Sequence, residues 1–249
     1  MSGHSKWSSI KHKKAATDAK RGQLFTKLAR AIQVAAREGG PDPAANAALG
    51  TAIEKAREAS MPKDNIQRAI DKGTGAGADA DAFEAVAYEG YGPGGVAIMV
   101  EALTDNRNRT GSDVRHLFSK HGGNLGEPGS VAWIFEKKGE IVVDADRFSE
   151  DDLFPAIDAG AEDVNLDDNV YEVVTEPGTF MDVRKALEEA GVEFESAELT
   201  MRPTTQVQLE EPQVGQLLRL IEGLEENDDV QAVHANFDAD AEVLERATA

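Results

Sequence analysis

Hydrophobic positions along the chain change their period near residue 80. From Gln23 to Arg37, the residues Leu24, Phe25, Leu28, Ile32, Ala35 and Ala36 recur at helical spacing. At about 100° per residue they fill one arc of an amphipathic helix. Lys20, Lys27, Arg30 and Arg37 fall on the opposite arc, and Lys13 joins them if the helix extends back that far. Gly39-Gly40-Pro41-Asp42-Pro43 breaks the pattern. An alanine-rich helix follows from Ala44 to Ala59, with Leu49, Ile53 and Ala56 inward. Pro62 suits the first turn of a third helix carrying Ile66, Ala69 and Ile70, which Gly73 ends. Gly73-Thr74-Gly75-Ala76-Gly77-Ala78-Asp79 then reads as a flexible linker, since no strand precedes it and no Lys-Ser/Thr pair follows to make it a phosphate loop.

Beyond Phe83 strands alternate with helices. Val96–Leu103 predicts a strand, Thr110–Lys120 a helix with Val114, Leu117 and Phe118 inward, and Val131–Phe135 another strand. A βαββαβ series follows: strand Glu140–Asp144, helix Glu150–Ala159, strands Asp163–Leu166 and Tyr171–Thr175, helix Phe180–Ala190, and strand Glu195–Met201. That order predicts a ferredoxin-like sandwich with two helices on one face of an antiparallel sheet. Strand Gln206–Leu209, helix Gln213–Glu225 and strand Val230–Phe237 form a last unit too small to stand alone. Pairing it with the equally incomplete unit from Phe83 to Phe135 predicts a multidomain α+β fold. Its parts are an N-terminal helical bundle (residues 1–75), a discontinuous α/β domain (80–137 plus 204–249), and an inserted ferredoxin-like βαββαβ domain (138–203).

Charge changes this picture most. The formal net charge is −20, yet the first 37 residues carry nine Lys or Arg against the single acid Asp18. The remaining 212 residues hold 17 bases and 45 acids. A basic arm on an acidic body predicts that one end meets a polyanion. Residues 38–75 hold five bases and six acids, so the basicity belongs to the arm and one helix face rather than to the whole bundle. Cysteine is absent, which excludes disulfides, Cys-ligated metals and thiol nucleophiles and fits a reducing cytoplasm. No apolar run reaches the roughly 18–20 residues of a spanning helix, and the basic N-terminus lacks the apolar stretch of a secretory signal. A cytoplasmic protein with no membrane partner is expected.

No catalytic constellation emerges. His4, His12, His116, His121 and His234 make no metal-ligand spacing, no serine sits in Gly-x-Ser-x-Gly, and no acidic triplet matches a calcium loop. No catalytic residue, metal or cofactor is therefore expected.

The candidate binding residues form three groups. Lys6, Trp7, Lys11, His12, Lys13, Lys14, Lys20, Arg21, Lys27 and Arg30 place an indole among cations: the lysines suit phosphate, and Trp7 suits stacking on an exposed base. The competing reading packs Trp7 on the bundle and leaves the lysines solvated. Lys63, Asn65 and Arg68 lie at the start of the third helix, where free N–H groups suit phosphate but ordinary capping would look the same. Asn106, Arg107, Asn108 and Arg109 occupy a strand-to-helix loop, with Arg115 further along; alternating Arg and Asn make poor core and good RNA-contact chemistry.

These words also carry a family resemblance. Gly3-His4-Ser5-Lys6-Trp7, Met61-Pro62-Lys63-Asp64-Asn65-Ile66 with Arg68-Ala69-Ile70 and Lys72-Gly73, and Tyr88-Glu89-Gly90-Tyr91-Gly92-Pro93 resemble the YebC family. So do Leu103-Thr104-Asp105-Asn106 with Asn108-Arg109-Thr110, and Gly129-Ser130-Val131-Ala132-Trp133. The resemblance is collinear over nearly the whole chain and weakest in the insert; Ser60 stands where many members have Asn. It implies three domains and a non-enzymatic cytoplasmic protein. Members are described as probable transcriptional regulators of promoter DNA, and as translation factors acting on the ribosome. The expected partners are thus ribosomal RNA or promoter DNA, with ribosomal proteins as further candidates. A monomer is expected, since no heptad advertises a dimer.

Overall fold

The computed structural model describes Trp7 and residues 18–75, 83–167 and 169–248. The architecture is mixed α+β, with N-terminal helices followed by antiparallel sheets. Helices α1 (Asp18–Gly39), α2 (Ala47–Glu58) and α3 (Lys63–Gly73) pack around Ile32, Ala36, Leu49, Ile53, Ala56, Ile66 and Ala69. Asn46 caps α2: its carboxamide oxygen accepts from the Leu49 amide at 3.1 Å, while its NH2 donates to the Ala35 and Gly40 carbonyls. Ser60, before α3, is the one described non-glycine residue with positive φ, at 59°. Asn tolerates that left-handed conformation better than most residues, so Ser60→Asn suits this turn. Gly73 lets α3 end directly on α1, because a Cβ there would collide with the Gln33 carbonyl.

The first sheet has the order β3-β1-β2-β9 and is antiparallel throughout, built from β1 (Glu84–Tyr91), β2 (Ala97–Thr104), β3 (Asn124–Leu125) and β9 (Val230–Ala235). Helices α4 (Arg107–Lys120) and α7 (Glu211–Glu225) form one core with it through Val114, Phe118, Leu217, Leu220 and Ile221, against Ile98, Val100 and Val233. The alternate residues Ala97 and Met99 join a second core with Val131, Ile134 and Phe135. Burial on both faces explains why β2 reads as a continuous apolar run. A short parallel pair, β8 (Val207–Gln208) with β10 (Phe237–Asp238), and the terminal helix α8 (Ala241–Thr248) complete this part.

Between these segments runs the ferredoxin-like unit. Its sheet order is β5-β6-β4-β7, with β4 (Phe135–Asp144), β5 (Ala161–Asp167), β6 (Val170–Thr175) and β7 (Ser196–Pro203) all antiparallel. Helices α5 (Phe154–Asp158) and α6 (Phe180–Glu189) share its core, through Ala156, Phe180, Val183 and Leu187 against Ile141, Val143 and Val173.

Several elements depart from the sequence pattern: the helix expected over 150–159 is a 3-10 turn (Glu150–Leu153) followed by α5, and β3 and α8 have no counterpart in the expected order. The expected strand Val131–Phe135 is a 3-10 turn over Ala132–Ile134, and the strand starts only at Phe135. The cause is the buried Glu89, whose carboxylate accepts from the amides of Gly129, Val131 and Ala132 at 2.7, 2.7 and 2.8 Å. Gathering three amides onto one carboxylate removes them from any ladder. In addition, β1 carries no strand signature in the sequence, since Ala85, Ala87 and Gly90 give it little apolar contrast.

Burial pushes the Glu89 carboxyl up, but the three amide hydrogen bonds outweigh it and hold the group below its usual range. Glu89→Gln should cost about 1–3 kcal/mol, because a carboxamide cannot accept all three amides. The folded-state value is depressed, so this contribution is complete above about pH 5 and fades as pH falls through the folded pKa. Urea unfolding at pH 7 and in acid should therefore show the gap between parent and variant narrowing in acid.

Candidate nucleic-acid interface

Helix α1 owes its amphipathicity to the spacing seen in the sequence, but its polar face is not all solvated. Gln23 Nε2 donates to the Glu226 carbonyl, Lys27 Nζ to the Glu225 carbonyl at 2.5 Å, and an Arg30 nitrogen to the Asp228 carbonyl at 2.5 Å. Glu225 and Glu226 end α7, where carbonyls lack helical partners and carry the negative end of the macrodipole. Arg30 also pairs with Asp229 Oδ1 at 2.7 Å, and its guanidinium lies 5.0 Å from the Phe83 ring centre. Arg37 donates to the Phe83 carbonyl. The cationic stripe expected to meet phosphate is thus, from Lys27 to Arg37, a joint between the helical bundle and the first sheet.

Asp229 is the centre of that joint. Its side chain is 5% exposed, and Oδ2 accepts from Thr110 Oγ1 at 2.6 Å and from Arg109 at 2.7 Å. Thr104 Oγ1 lies 3.3 Å away and shares a hydrogen bond with Thr110. Burial pushes the Asp229 carboxyl up, yet Thr110, Arg109 and the charge of Arg30 together hold it below its usual range. The same carboxylate, with Asp105, raises the Arg109 pKa. Asn106 caps α4 by accepting from the Arg109 amide at 3.1 Å, and Arg107 faces Glu84 at 3.5 Å. The stretch expected to be a loop with RNA-contact chemistry is instead the cap (Asn106) and first turn (Arg107, Asn108, Arg109) of α4, and Asn106 and Arg109 have a structural task there. Asn108 and Arg115 remain exposed.

Trp7 is corrected outright. It is 1% exposed and belongs to the core of the first sheet, so its faces are closed to a stacking base. The exposed tryptophan is Trp133, at 71%, its indole N–H donating to the Ser130 carbonyl at 3.1 Å; the Tyr91 hydroxyl reaches the same carbonyl at 3.0 Å. Sequence reasoning saw Trp133 only as part of a family word. Lys6, Lys11, His12, Lys13 and Lys14 lie outside the described residues. Lys20 lies in the first turn of α1, and Arg21 is exposed with its guanidinium 5.7 Å from the Phe25 ring centre.

On α3, Lys63 and Arg68 are exposed and Asn65 is half-buried. Arg68 donates to Asn65 Oδ1 at 2.5 Å and to the Asp64 carbonyl at 3.1 Å. No carboxylate among the described residues pairs with Arg68 or Lys72, in contrast to Arg30 and Arg109. A groove of about 480 Å³ runs between α1 and α3, walled by Phe25, Ala29, Met61 and Ala69 and edged by Arg30, Arg68 and Lys72. Lys72 is marked in the sequence only as part of a family word, and Gln33 and Phe83 not at all, because only the helix packing brings the three together. Among the described residues no His, Asp and Glu cluster is arranged to hold a metal, and no helix is long and apolar enough to cross a membrane.

Asp229→Ala should destabilise the protein by about 2–4 kcal/mol, since it strands the Arg30 guanidinium and two hydroxyls around the vacated site. Asp229→Asn should cost less. Urea unfolding of both, with Arg30→Ala and the double variant, should give a positive coupling between positions 30 and 229; strict additivity would deny the pair any energetic role.

Residues 5–76 match the TACO1/YebC protein N-terminal domain, and residues 83–237 match the TACO1/YebC second and third domain. A probable transcriptional regulatory protein of Rubrobacter xylanophilus is 62% identical over 245 residues, covering 98% of each chain. Another so named, from Trichlorobacter lovleyi, is 57% identical over 99% of each. A crystal structure of a conserved hypothetical protein from Aquifex aeolicus, 51% identical, superposes with a TM-score of 0.79 over 90% of this chain and 92% of that one. By sequence over nearly its full length, and by fold, this chain belongs to the TACO1/YebC family.

Proposed function

We propose that the protein is a non-enzymatic, cytoplasmic, nucleic-acid-binding regulator of gene expression that acts on structured RNA as a ribosome-associated translation factor. The observation that carries this reading is the division of labour among its cations. Lys27 and Arg30, on the longest basic helix, are committed to the end of α7 and to Asp229, so α1 offers no free face of the kind that reads a major groove. Exposed cations among the described residues of the bundle, including Arg21, Lys63, Arg68 and Lys72, suit phosphate contacts that position without specifying. The acidic remainder is repelled by RNA and suits basic ribosomal proteins. In this reading residues 1–75 meet RNA, 80–137 plus 204–249 form the frame, and 138–203 face outward.

A second reading, a DNA-binding regulator acting at promoters, is favoured by the name that the relatives carry, probable transcriptional regulatory protein. Crosslinking in cells followed by sequencing of both RNA and DNA separates the two. Ribosomal RNA should dominate the recovered sequences; recovery confined to promoter DNA would sink the translation reading. The arm gives a second test. Changing Lys13, Lys14 and Lys20 to Ala should weaken RNA binding and flatten the dependence of log K on log salt by about 0.7 for each phosphate no longer neutralised. An unchanged slope would mean that these side chains do not touch phosphate.

A further inference from the structure

The groove between α1 and α3 has a composition that neither general basicity nor core packing requires. Its floor is apolar, formed by Ala29, Met61 and Ala69, with Phe25 as one wall. Its rim carries Arg68 and Lys72, cations that no described carboxylate neutralises, and no Asp or Glu among the described residues lines it. Between rim and floor stand two carboxamides, Gln33 and Asn65. Arg68 takes the Asn65 carbonyl oxygen, which leaves the Asn65 NH2 turned to donate elsewhere. At about 480 Å³ it is large enough for one small ligand, and it lies open to solvent along its length.

We propose that this groove receives a single unstacked nucleotide of an RNA strand: the base against the apolar floor, its polar edge on Gln33 and Asn65, and its phosphate on Arg68 and Lys72. The inference rests on the RNA-binding reading and adds a specific seat to it. Charge complementarity selects an anion, the apolar side chains select an aromatic body beside that anion, and the paired amides suit a base edge that both donates and accepts. A base inside a duplex cannot enter, whereas loops and bulges of folded RNA present such bases splayed out. The groove lies beside Arg30, whose pairing with Asp229 fixes α1 as one of its walls.

Thr26 is exposed and lies at the mouth of the groove, so Thr26→Trp should fill it without removing any cation. Fluorescence anisotropy on the full chain, with a labelled 12-nucleotide oligouridine and with a labelled duplex DNA, reads the effect. Thr26→Trp should weaken oligouridine binding about tenfold while leaving its salt slope and the duplex affinity unchanged. The Arg68→Ala, Lys72→Ala pair should weaken it and flatten the slope by about 1.4, the amount expected when two phosphates go unpaired. Gln33→Glu, which keeps the shape and adds a repelling charge, serves as an independent variant should Thr26→Trp lose its helical circular dichroism. Parent-like oligouridine binding by a folded Thr26→Trp or Gln33→Glu variant would overturn the groove and leave the wider RNA reading standing. Displacement of oligouridine by polyglutamate, with the parent and Thr26→Trp equally susceptible, would likewise count against a nucleotide seat. A parent that binds neither oligouridine nor duplex would defeat the RNA reading itself.

Discussion

One buried carboxylate governs how the parts of this protein meet. Asp229 lies where α7 has ended and β9 is about to begin, and it gathers Arg30 from the helical bundle together with Arg109 and Thr110 from α4. An ionised group at that depth is tolerable only while its partners are in place, because desolvation otherwise exceeds anything the carboxylate returns. If the bundle left the first sheet, Asp229 would keep Arg109 and Thr110 on Oδ2 but lose Arg30 from Oδ1. The exposed carbonyls at the end of α7 add to the same constraint, since Gln23, Lys27 and Arg30 satisfy groups that would otherwise rely on water.

This arrangement changes the meaning of the basic helix. A helical wheel reports which face is polar, and for α1 that face is the right one. It cannot distinguish a face turned to solvent from one turned to the carbonyl end of another helix, because both select Lys and Arg. The acceptors are equally obscure: Glu225, Glu226, Asp228 and Asp229 sit in an acidic run within a chain that has 46 acidic residues, so none of them stands out. What is legible is the residue type at the joint, not its direction.

The same limit explains which elements are readable. The three N-terminal helices and the βαββαβ order come from periodicity, which each segment carries in its own residues. The segment Val131–Phe135 misleads because β-branched and aromatic composition suggests a strand, while its geometry depends on Glu89, some forty residues earlier in the chain. Trp7 misleads in the opposite sense: a local neighbourhood of cations suggests an exposed aromatic, while the cavity that takes the indole is built by residues between Val96 and Leu244. The groove between α1 and α3 is legible only on its α3 side, where Asn65 and Arg68 stand in a polar helix start; Gln33 and Phe83 become its neighbours only when the bundle closes.

Strand β4 has a mechanical consequence. Phe135 is anchored with Val131 and Ile134 in the core behind the first sheet, and the same strand continues to Asp144 as an inner strand of the second. At about 3.3 Å per residue it is a rod of roughly 33 Å with no flexible residue pair at the boundary. β7 runs antiparallel beside it along most of that length, from Phe135 opposite Pro203 to Val142 opposite Ser196. The strand that enters the insert and the strand that leaves it are thus hydrogen-bonded to each other, so neither connection can shift along its axis without breaking the ladder it shares with the other.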